Sequence, residues 1–285
     1  MLTISVDPVA FTIGPLMVRW YGIMVGIAVA SLVVIMLREA KKLGITRDLY
    51  SLAFWGIIGG LIGGRLAHVI DDWGYYMANP IEIIGFQGLA QNGMVIGIIV
   101  AALIYMGVTR MRFSTLLSIG DALAVGALLA LAIGRIGCTL NGCCHGQPSP
   151  FQFFPLAITY TPRDTMSPEY WGVPLYPTQI YHVLCNLILF AIVWRLRGKF
   201  KPEGGLLFFC FCIYAISDLS LRFLRADKPV LWGLREAQVA DLAILAVFLP
   251  WLIIRIRRFR HSEPQANNPT SAQDRLEQSQ MSKSK

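Results

Sequence analysis

The sequence predicts an all-α polytopic membrane protein with seven transmembrane helices. Hydrophobic residues make up 55% of the 285 residues and charged residues only 15%, whereas a soluble domain carries about 25% charged residues. Several apolar runs reach the roughly 20 residues that a helix needs to cross a bilayer. Clusters of Lys and Arg follow alternate runs, as expected when cations are kept on one side of a membrane.

The seven predicted spans are separated by polar segments. They cover about residues 17–37, 49–70, 93–108, 114–133, 177–194, 204–224 and 237–254. Basic clusters follow the first, third, fifth and seventh spans, and the other loops carry fewer cations. The positive-inside rule therefore predicts the N-terminus outside and the C-terminus in the cytoplasm. This asymmetry explains the net charge of +8, so no nucleic-acid partner is predicted.

A single transmembrane domain is predicted, followed by a tail. The domain covers residues 1–260 and includes a polar loop outside the membrane at about 138–176. Residues 261–285 are rich in Gln, Ser and Asn, which predicts a disordered cytoplasmic tail. The N-terminus has neither a basic region nor a small-residue cleavage site, so no removable signal peptide is predicted.

The second span carries glycines at the small-xxx-small spacing that lets membrane helices approach closely. These glycines are Gly56, Gly59, Gly60, Gly63 and Gly64. They predict that this helix packs tightly against a neighbouring helix.

One stretch at the end of the fourth span, GRIGCTLNGCCHG, contains several chemically active side chains and is called the focal stretch. Its polar and nucleophilic residues are Arg135, Cys138, Asn141, Cys143, Cys144 and His145, and it ends at Gly146. An ionisable residue at the end of an apolar helix is costly in lipid, which indicates a functional site. The alternative is a re-entrant turn whose arginine only anchors the chain at the interface.

Polar side chains from every predicted span gather at one depth, near the headgroups of the outer leaflet. They are Tyr21, Arg65, Asn92, Arg135, Gln179, Tyr181, Asp218, Arg222, Arg225 and Gln238. Arginines at this level suit a lipid phosphate, which the guanidinium fork binds through two hydrogen bonds.

Each of these residues also has a structural interpretation. Arg65 can snorkel to the interface, and Tyr21 can anchor the chain in the aromatic belt. Asp218 and Arg222 are four residues apart on one helix and can form an ion pair with each other. The glutamines that open the fifth and seventh spans can hydrogen-bond across helices.

The three thiols of the focal stretch leave several interpretations open. Cys138, Cys143 and Cys144 can bind a metal, form a disulfide outside the cytoplasm, supply an activated thiolate, or pack as inert side chains. The spacing lacks the separated ligand pairs of a zinc module. The sequence alone therefore predicts neither a metal nor a cofactor.

Four motifs together resemble the prolipoprotein diacylglyceryl transferase family, over about Asp7 to Ile254. They read DPVAFTIGPLMVRWYGIM, GLIGGR, GRIG-x3-NG-x3-G and YPTQIYH. The resemblance implies seven spans in the bacterial inner membrane with the N-terminus outside. It also implies an enzyme that moves the diacylglyceryl group of phosphatidylglycerol onto the thiol of a lipobox cysteine. That reaction makes a thioether and releases glycerol phosphate, so the implied partners are phosphatidylglycerol, the prolipoprotein lipobox segment and membrane lipids.

The same resemblance assigns residue roles. It makes Arg135 the contact to the lipid phosphate, and it adds Tyr21, Asn141, Gly146 and Arg65 to the site. The reaction needs cations on a departing phosphate and a deprotonated acceptor thiol.

The chain departs from the family pattern at four positions. Asn92 stands where the family usually has a histidine, and Cys138 and Cys143 stand where it has Asn and Glu. Asp218 replaces an arginine, although Arg222 lies one turn further on. Because the amide at position 92 cannot accept a proton, the hypothesis is that the nearby imidazole at position 145 acts as the base.

Two other functions remain open at this stage. One is a paralogue that uses the same lipid pocket with another acceptor, such as its own thiols. The other is a lipid-binding or thiol-redox membrane protein without enzymatic activity.

Overall fold

The computed structural model describes residues 2–14, 16–45, 49–84, 90–200, 203–226, 229–231 and 233–266. Its α-helices are α1 (Trp20–Lys42), α2 (Leu49–Asp71), α3 (Trp73–Ala78), α4 (Gln91–Val108), α5 (Phe113–Asn141), α6 (Thr178–Leu196), α7 (Gly205–Arg222) and α8 (Glu236–Ala266). Within these residues, six helices are long and apolar enough to cross a membrane, and Gly93–Val108 of α4 is a shorter apolar stretch. The protein is therefore a multi-pass membrane protein, and six of the predicted spans coincide with helices of sufficient length.

The described chain also contains short strands, so it is mostly helical rather than all-α. They are β1 (Leu2–Ile4), β2 (Val9–Ile13), β3 (Leu16–Arg19), β4 (Ile158–Tyr160), β5 (Pro229–Leu231) and β6 (Leu234–Arg235). Strand β1 pairs in parallel with β4, whereas β2 pairs with β3 and β5 with β6 in the antiparallel direction. Segments this short give little of the alternating pattern by which a strand is recognised in a sequence, which is why the prediction missed them.

The described residues form two compact units. One unit is Leu37–Ile119, and the other comprises the described residues before and after it. In the unit Leu37–Ile119, α2 and α4 pack backbone to backbone. A Cβ atom added to Gly97 would collide with the carbonyl oxygen of Gly59. The predicted close contact of the glycine-rich second span is therefore confirmed.

Helix α5 forms the core of the other unit. Its residues Ala124, Val125 and Leu128 are buried in a cluster with side chains of α6 and α7. The two carboxylate oxygens of Asp121 accept hydrogen bonds from the backbone N–H groups of Gly204 (2.7 Å) and Leu207 (2.8 Å). Asp121 thus satisfies free amides at the N-terminus of α7 and fixes that helix against α5.

Helix α5 continues past the predicted end of the fourth span and ends at Asn141. The loop therefore begins at Gly142, which has a φ of +82°, and not at Cys138. The guanidinium of Arg163 donates to the carbonyl oxygen of Leu140 at 3.1 Å, so it satisfies a free acceptor of the last turn. The same guanidinium donates to the carbonyl oxygen of Ile4 at 2.6 Å, which ties the N-terminal strand to the end of the helix.

Helix α8 likewise extends beyond its predicted end. It reaches Ala266, so the predicted start of a disordered tail at His261 falls inside the helix. Residues 267–285 of the predicted tail lie outside the described residues.

Candidate functional site

The arginine of the focal stretch is buried in the helical unit around α5. Arg135 lies two turns before the end of α5 and is 7% exposed. One of its terminal guanidinium nitrogens lies 4.0 Å from a carboxylate oxygen of Asp218 on α7. This separation exceeds hydrogen-bond distance. Asp218 therefore compensates the charge of Arg135 without a direct hydrogen bond from that nitrogen.

Asp218 is the centre of a buried polar group. Nε of Arg222 donates a hydrogen bond to one carboxylate oxygen. The other oxygen accepts a hydrogen bond from the hydroxyl of Tyr214 at 3.4 Å. It also lies 3.5 Å from Nδ1 of His182. The interpretation of Asp218 and Arg222 as an ion pair on one helix is confirmed.

Arg225 joins this group from just beyond α7 and is 7% exposed. Gly146 pairs with it as an isolated antiparallel β-bridge and donates its N–H to the carbonyl oxygen of Tyr176 at 3.1 Å. A Cβ atom at Gly146 would lie 2.6 Å from the Cβ and from the carbonyl oxygen of Tyr176. Only glycine therefore fits this crossing of three segments.

The two predicted glutamines are fully buried and bind backbone. The side chain of Gln179 donates to the carbonyl oxygen of Cys143 at 2.9 Å and to the Tyr160 hydroxyl at 3.2 Å. The Gln238 side-chain oxygen accepts the N–H of Arg235 at 3.0 Å. Both residues hold together the segments that carry the site.

The three thiols converge at the end of α5. The sulfur atoms of Cys138, Cys143 and Cys144 all lie within 4.8 Å of one another. All six cysteines of the chain fall in the described residues and are free. Hydrogen bonds from the Cys138 and Cys143 thiols, aided by the charges of Arg225 and Arg135, lower the pKa of Cys144 below the usual thiol range. The neighbouring thiol of Cys144 and burial raise the pKa of Cys143, so the two thiols do not ionise together.

Three further predicted residues lie beside these thiols. Tyr21 of α1 interacts electrostatically with Arg135 and with the thiols. Asn141 hydrogen-bonds to Cys143, and its side-chain oxygen is buried without a hydrogen-bond partner among the described residues. Nδ1 of His145 lies 3.0 Å from the carbonyl oxygen of Gly146.

Two predicted residues lie in the separate unit Leu37–Ile119. There the Arg65 guanidinium donates to the carbonyl oxygens of Ile83 (2.9 Å) and Glu82 and covers the ring of Tyr76. Asn92 lies in the first turn of α4, and its side chain is outside the described atoms.

Several residues of this group have no role predicted from the sequence. His182 is 2% exposed, and its Nε2 has no hydrogen-bond partner within the described part of the chain. Asp241 of α8 is 4% exposed and interacts with Asp218. One signal was available for His182, because it lies three residues after Gln179 and so on the same face of α6.

The charges of the group suit a single anion. Three buried arginines, at positions 135, 222 and 225, face two buried carboxylates, those of Asp218 and Asp241. The arginines outnumber the carboxylates, so the group carries a net positive charge. A phosphate diester carries one negative charge, and guanidinium groups bind phosphate oxygens in pairs. Fold and site together define a multi-pass membrane protein with a buried, arginine-rich polar group next to a thiol cluster.

Comparison with known proteins identifies the family within that class. The chain belongs to the prolipoprotein diacylglyceryl transferase family, whose model matches residues 8–254. A relative from Dehalococcoides mccartyi is 36% identical over 265 residues, which cover 92% of this chain and 99% of the relative. A relative from a Nostoc species is 33% identical over 278 residues (93% and 95%), and one from Bacillus cytotoxicus is 34% identical over 256 residues (88% and 93%). All three are named phosphatidylglycerol–prolipoprotein diacylglyceryl transferase.

Proposed function

We propose that this protein transfers the diacylglyceryl group of phosphatidylglycerol to the thiol of a prolipoprotein lipobox cysteine. The observation that carries this proposal is the buried Arg135, held near Asp218 in a group whose buried arginines outnumber its carboxylates. The family match over residues 8–254 supports the same conclusion.

In the proposed reaction, the acceptor sulfur attacks the diacylglyceryl carbon that is bonded to the phosphate oxygen. A carbon–sulfur bond forms and the carbon–oxygen bond breaks, so the electron pair leaves with glycerol phosphate. The charge on the phosphate rises from about −1 to about −2 as it departs. Arg135, supported by Arg222 and Arg225, stabilises that developing charge.

The acceptor thiol must lose its proton before it attacks. We assign the proton acceptor to His145. If its Nδ1–H donates to the carbonyl oxygen of Gly146, as the 3.0 Å separation allows, the lone pair of Nε2 faces away from the backbone and is available. The ring also packs against Tyr170, with 4.5 Å between centroids, which limits its rotation.

The remaining predicted residues receive supporting roles in this proposal. Gln179 and Gln238 fix backbone around the lipid phosphate, and Gly146 lets three segments meet there. Tyr21 and Asn141 line the acceptor side beside the thiols. Arg65 and Asn92 stay proposed substrate-binding residues, carried by the unit Leu37–Ile119.

The proposed location is a bacterial inner membrane, with seven spans, the N-terminus outside and the C-terminus in the cytoplasm. Six long apolar helices and the shorter α4 support this arrangement. The Lys and Arg residues that follow α1, α4, α6 and the apolar part of α8 support the orientation.

A reconstituted assay tests the function. The purified protein in phosphatidylglycerol vesicles is mixed with a lipobox peptide, and the peptide mass and released glycerol phosphate are measured. We expect one diacylglyceryl group per peptide and one glycerol phosphate per transfer. A lipid adduct on the cysteines of the protein itself, with none on the peptide, would indicate the paralogue that uses its own thiols. If neither the peptide nor the protein itself becomes lipidated, the transferase function is rejected.

A further inference from the structure

The thiol cluster has the dimensions of a metal site. Its three sulfur atoms all lie within 4.8 Å of one another. Three thiolates around a zinc ion, with Zn–S bonds of about 2.3 Å, are separated by about 3.8–4.0 Å. The sulfur–sulfur separations therefore need to shorten by at most about 1 Å to bring all three sulfurs onto one ion.

The backbone that carries the three thiols is fixed from outside the cluster. Cys138 is held in the last turn of α5. The Thr178 hydroxyl donates a hydrogen bond to the carbonyl oxygen of Cys144 at 3.0 Å. The side-chain amide of Gln179 donates one to the carbonyl oxygen of Cys143 at 2.9 Å. Such supporting hydrogen bonds orient ligands before a metal binds.

The surroundings of the cluster suit a thiolate-bound ion. Three thiolates and a divalent cation carry a net charge of −1. Arg135 lies one helical turn before Cys138, and both Arg135 and Arg225 interact electrostatically with Cys144. Cys138 is buried, whereas Cys143 and Cys144 are partly exposed. The side of the cluster away from Cys138 is therefore the one that a further ligand can reach.

We propose that Cys138, Cys143 and Cys144 bind a zinc ion, and that its fourth coordination position takes the acceptor thiol as a thiolate. This inference rests on the proposed function and deepens it. The sequence alone did not predict it, because the spacing C-x4-C-C lacks separated ligand pairs. The folded chain supplies the convergence that the spacing does not indicate.

Zinc coordination acts together with the proton acceptor that the proposed function assigns to His145. The Asn92 amide cannot take a proton from the acceptor, whereas a thiol that coordinates zinc is deprotonated outright. The released proton passes to His145 or to solvent. The zinc-bound sulfur then forms the carbon–sulfur bond, and the glycerol phosphate leaves with the electrons of the broken carbon–oxygen bond. No electron is exchanged with the metal, because zinc has no redox chemistry.

The cysteines are ligands in this proposal and do not carry the lipid. A diacylglyceryl group on one of them would be a thioether, whose sulfur is a poor leaving group. Such an adduct would end the reaction and not pass the lipid on.

The first test is the zinc content of the full-length protein, purified in detergent without chelators and measured by mass spectrometry of the metal. We expect one zinc per chain. Substitution of any one cluster residue by serine should weaken zinc binding about tenfold or more. The matched controls Cys185→Ser and Cys212→Ser, on α6 and α7, should keep the full zinc content. Zinc that is absent, or that is equally present in a variant lacking all three cluster thiols, overturns the site.

The second test asks whether the fourth position binds the acceptor. Cobalt replaces zinc, and its visible absorption is recorded with a lipobox peptide and with the same peptide carrying serine in place of cysteine. We expect a change with the cysteine peptide only. A spectrum that neither peptide alters overturns the activation role.

Neither readout requires turnover, so the two proposals fail in different ways. A cobalt shift with the cysteine peptide but no transfer product rejects the transferase and supports the site. Transfer at the full rate after complete removal of zinc supports the transferase and rejects the activation role.

Discussion

A guanidinium nitrogen of Arg135 on α5 lies 4.0 Å from a carboxylate oxygen of Asp218 on α7. The same carboxylate is bound by Arg222, so one anion compensates cations from two helices. The position where the family usually has an arginine thus carries the counter-ion of the remaining arginines. The departure at position 218 changes how the cations are held, and the group keeps its excess of positive charge.

Asp218→Asn is expected to destabilise the protein. The change leaves two buried guanidinium groups without their shared counter-ion, which typically costs about 3–5 kcal/mol. The measurement is the thermal midpoint in detergent. Asp164→Asn is the control, because Asp164 pairs with Arg19 at 2.6 Å on the surface, where such pairs contribute about 1 kcal/mol or less. Equal shifts in the two variants would contradict the account of the buried group.

Gly146→Ala is expected to lower both stability and activity. Its new Cβ would lie 2.6 Å from two atoms of Tyr176 and 2.9 Å from the carbonyl oxygen of Leu224, so the backbone crossing must open. Gly134→Ala is the matched control within the same motif, because nothing lies within 4 Å of its Cβ. There alanine should be neutral or stabilising by up to about 1 kcal/mol. If Gly146→Ala keeps the stability and the activity of the unchanged protein, the close backbone crossing at Gly146 is not required for either.

His145→Gln tests the proposed proton acceptor. Loss of a general base typically lowers the rate by about 10²- to 10⁴-fold, while lipid binding should persist because Arg135 is intact. Asn92→His should partly restore the rate in this background. Turnover and phosphatidylglycerol binding are measured separately. A loss of less than about threefold, with no effect of Asn92→His, would mean that His145 only binds the loop backbone.

The proposed topology predicts that Ser149 and Ser271 lie on opposite sides of the membrane. Each is replaced by cysteine in turn and labelled in intact cells with a thiol reagent that does not cross the membrane, and peptide mapping separates the new thiol from native ones. We expect Ser149→Cys to react and Ser271→Cys to react only after lysis. Reaction of both from the same side would contradict seven spans.

The sequence predicted the long helices and singled out Arg135, which is buried, because a hydrophobic run and a charge at its end are local signals. It missed the end of α5, since the cap there comes from Arg163, 23 residues after Leu140. It also missed His182 and Asp241, because their roles depend on which side chains of other helices face them. The convergence of three thiols likewise arises from folding, as Gly142 turns the chain back over the end of α5.

The central claim is that Arg135 binds the lipid phosphate during diacylglyceryl transfer. The most direct measurement is the mass of a reporter lipoprotein in cells depleted of their own transferase that express this protein. We expect diacylglyceryl-modified reporter with the unchanged protein. With Arg135→Ala or Arg135→Lys, transfer should fall about 10²- to 10³-fold at equal expression. Alanine removes the charge, and lysine keeps the charge but cannot form the bidentate contact to the phosphate. The control Arg195→Lys, at an exposed position, should retain full transfer. Full modification of the reporter by Arg135→Ala would contradict the account.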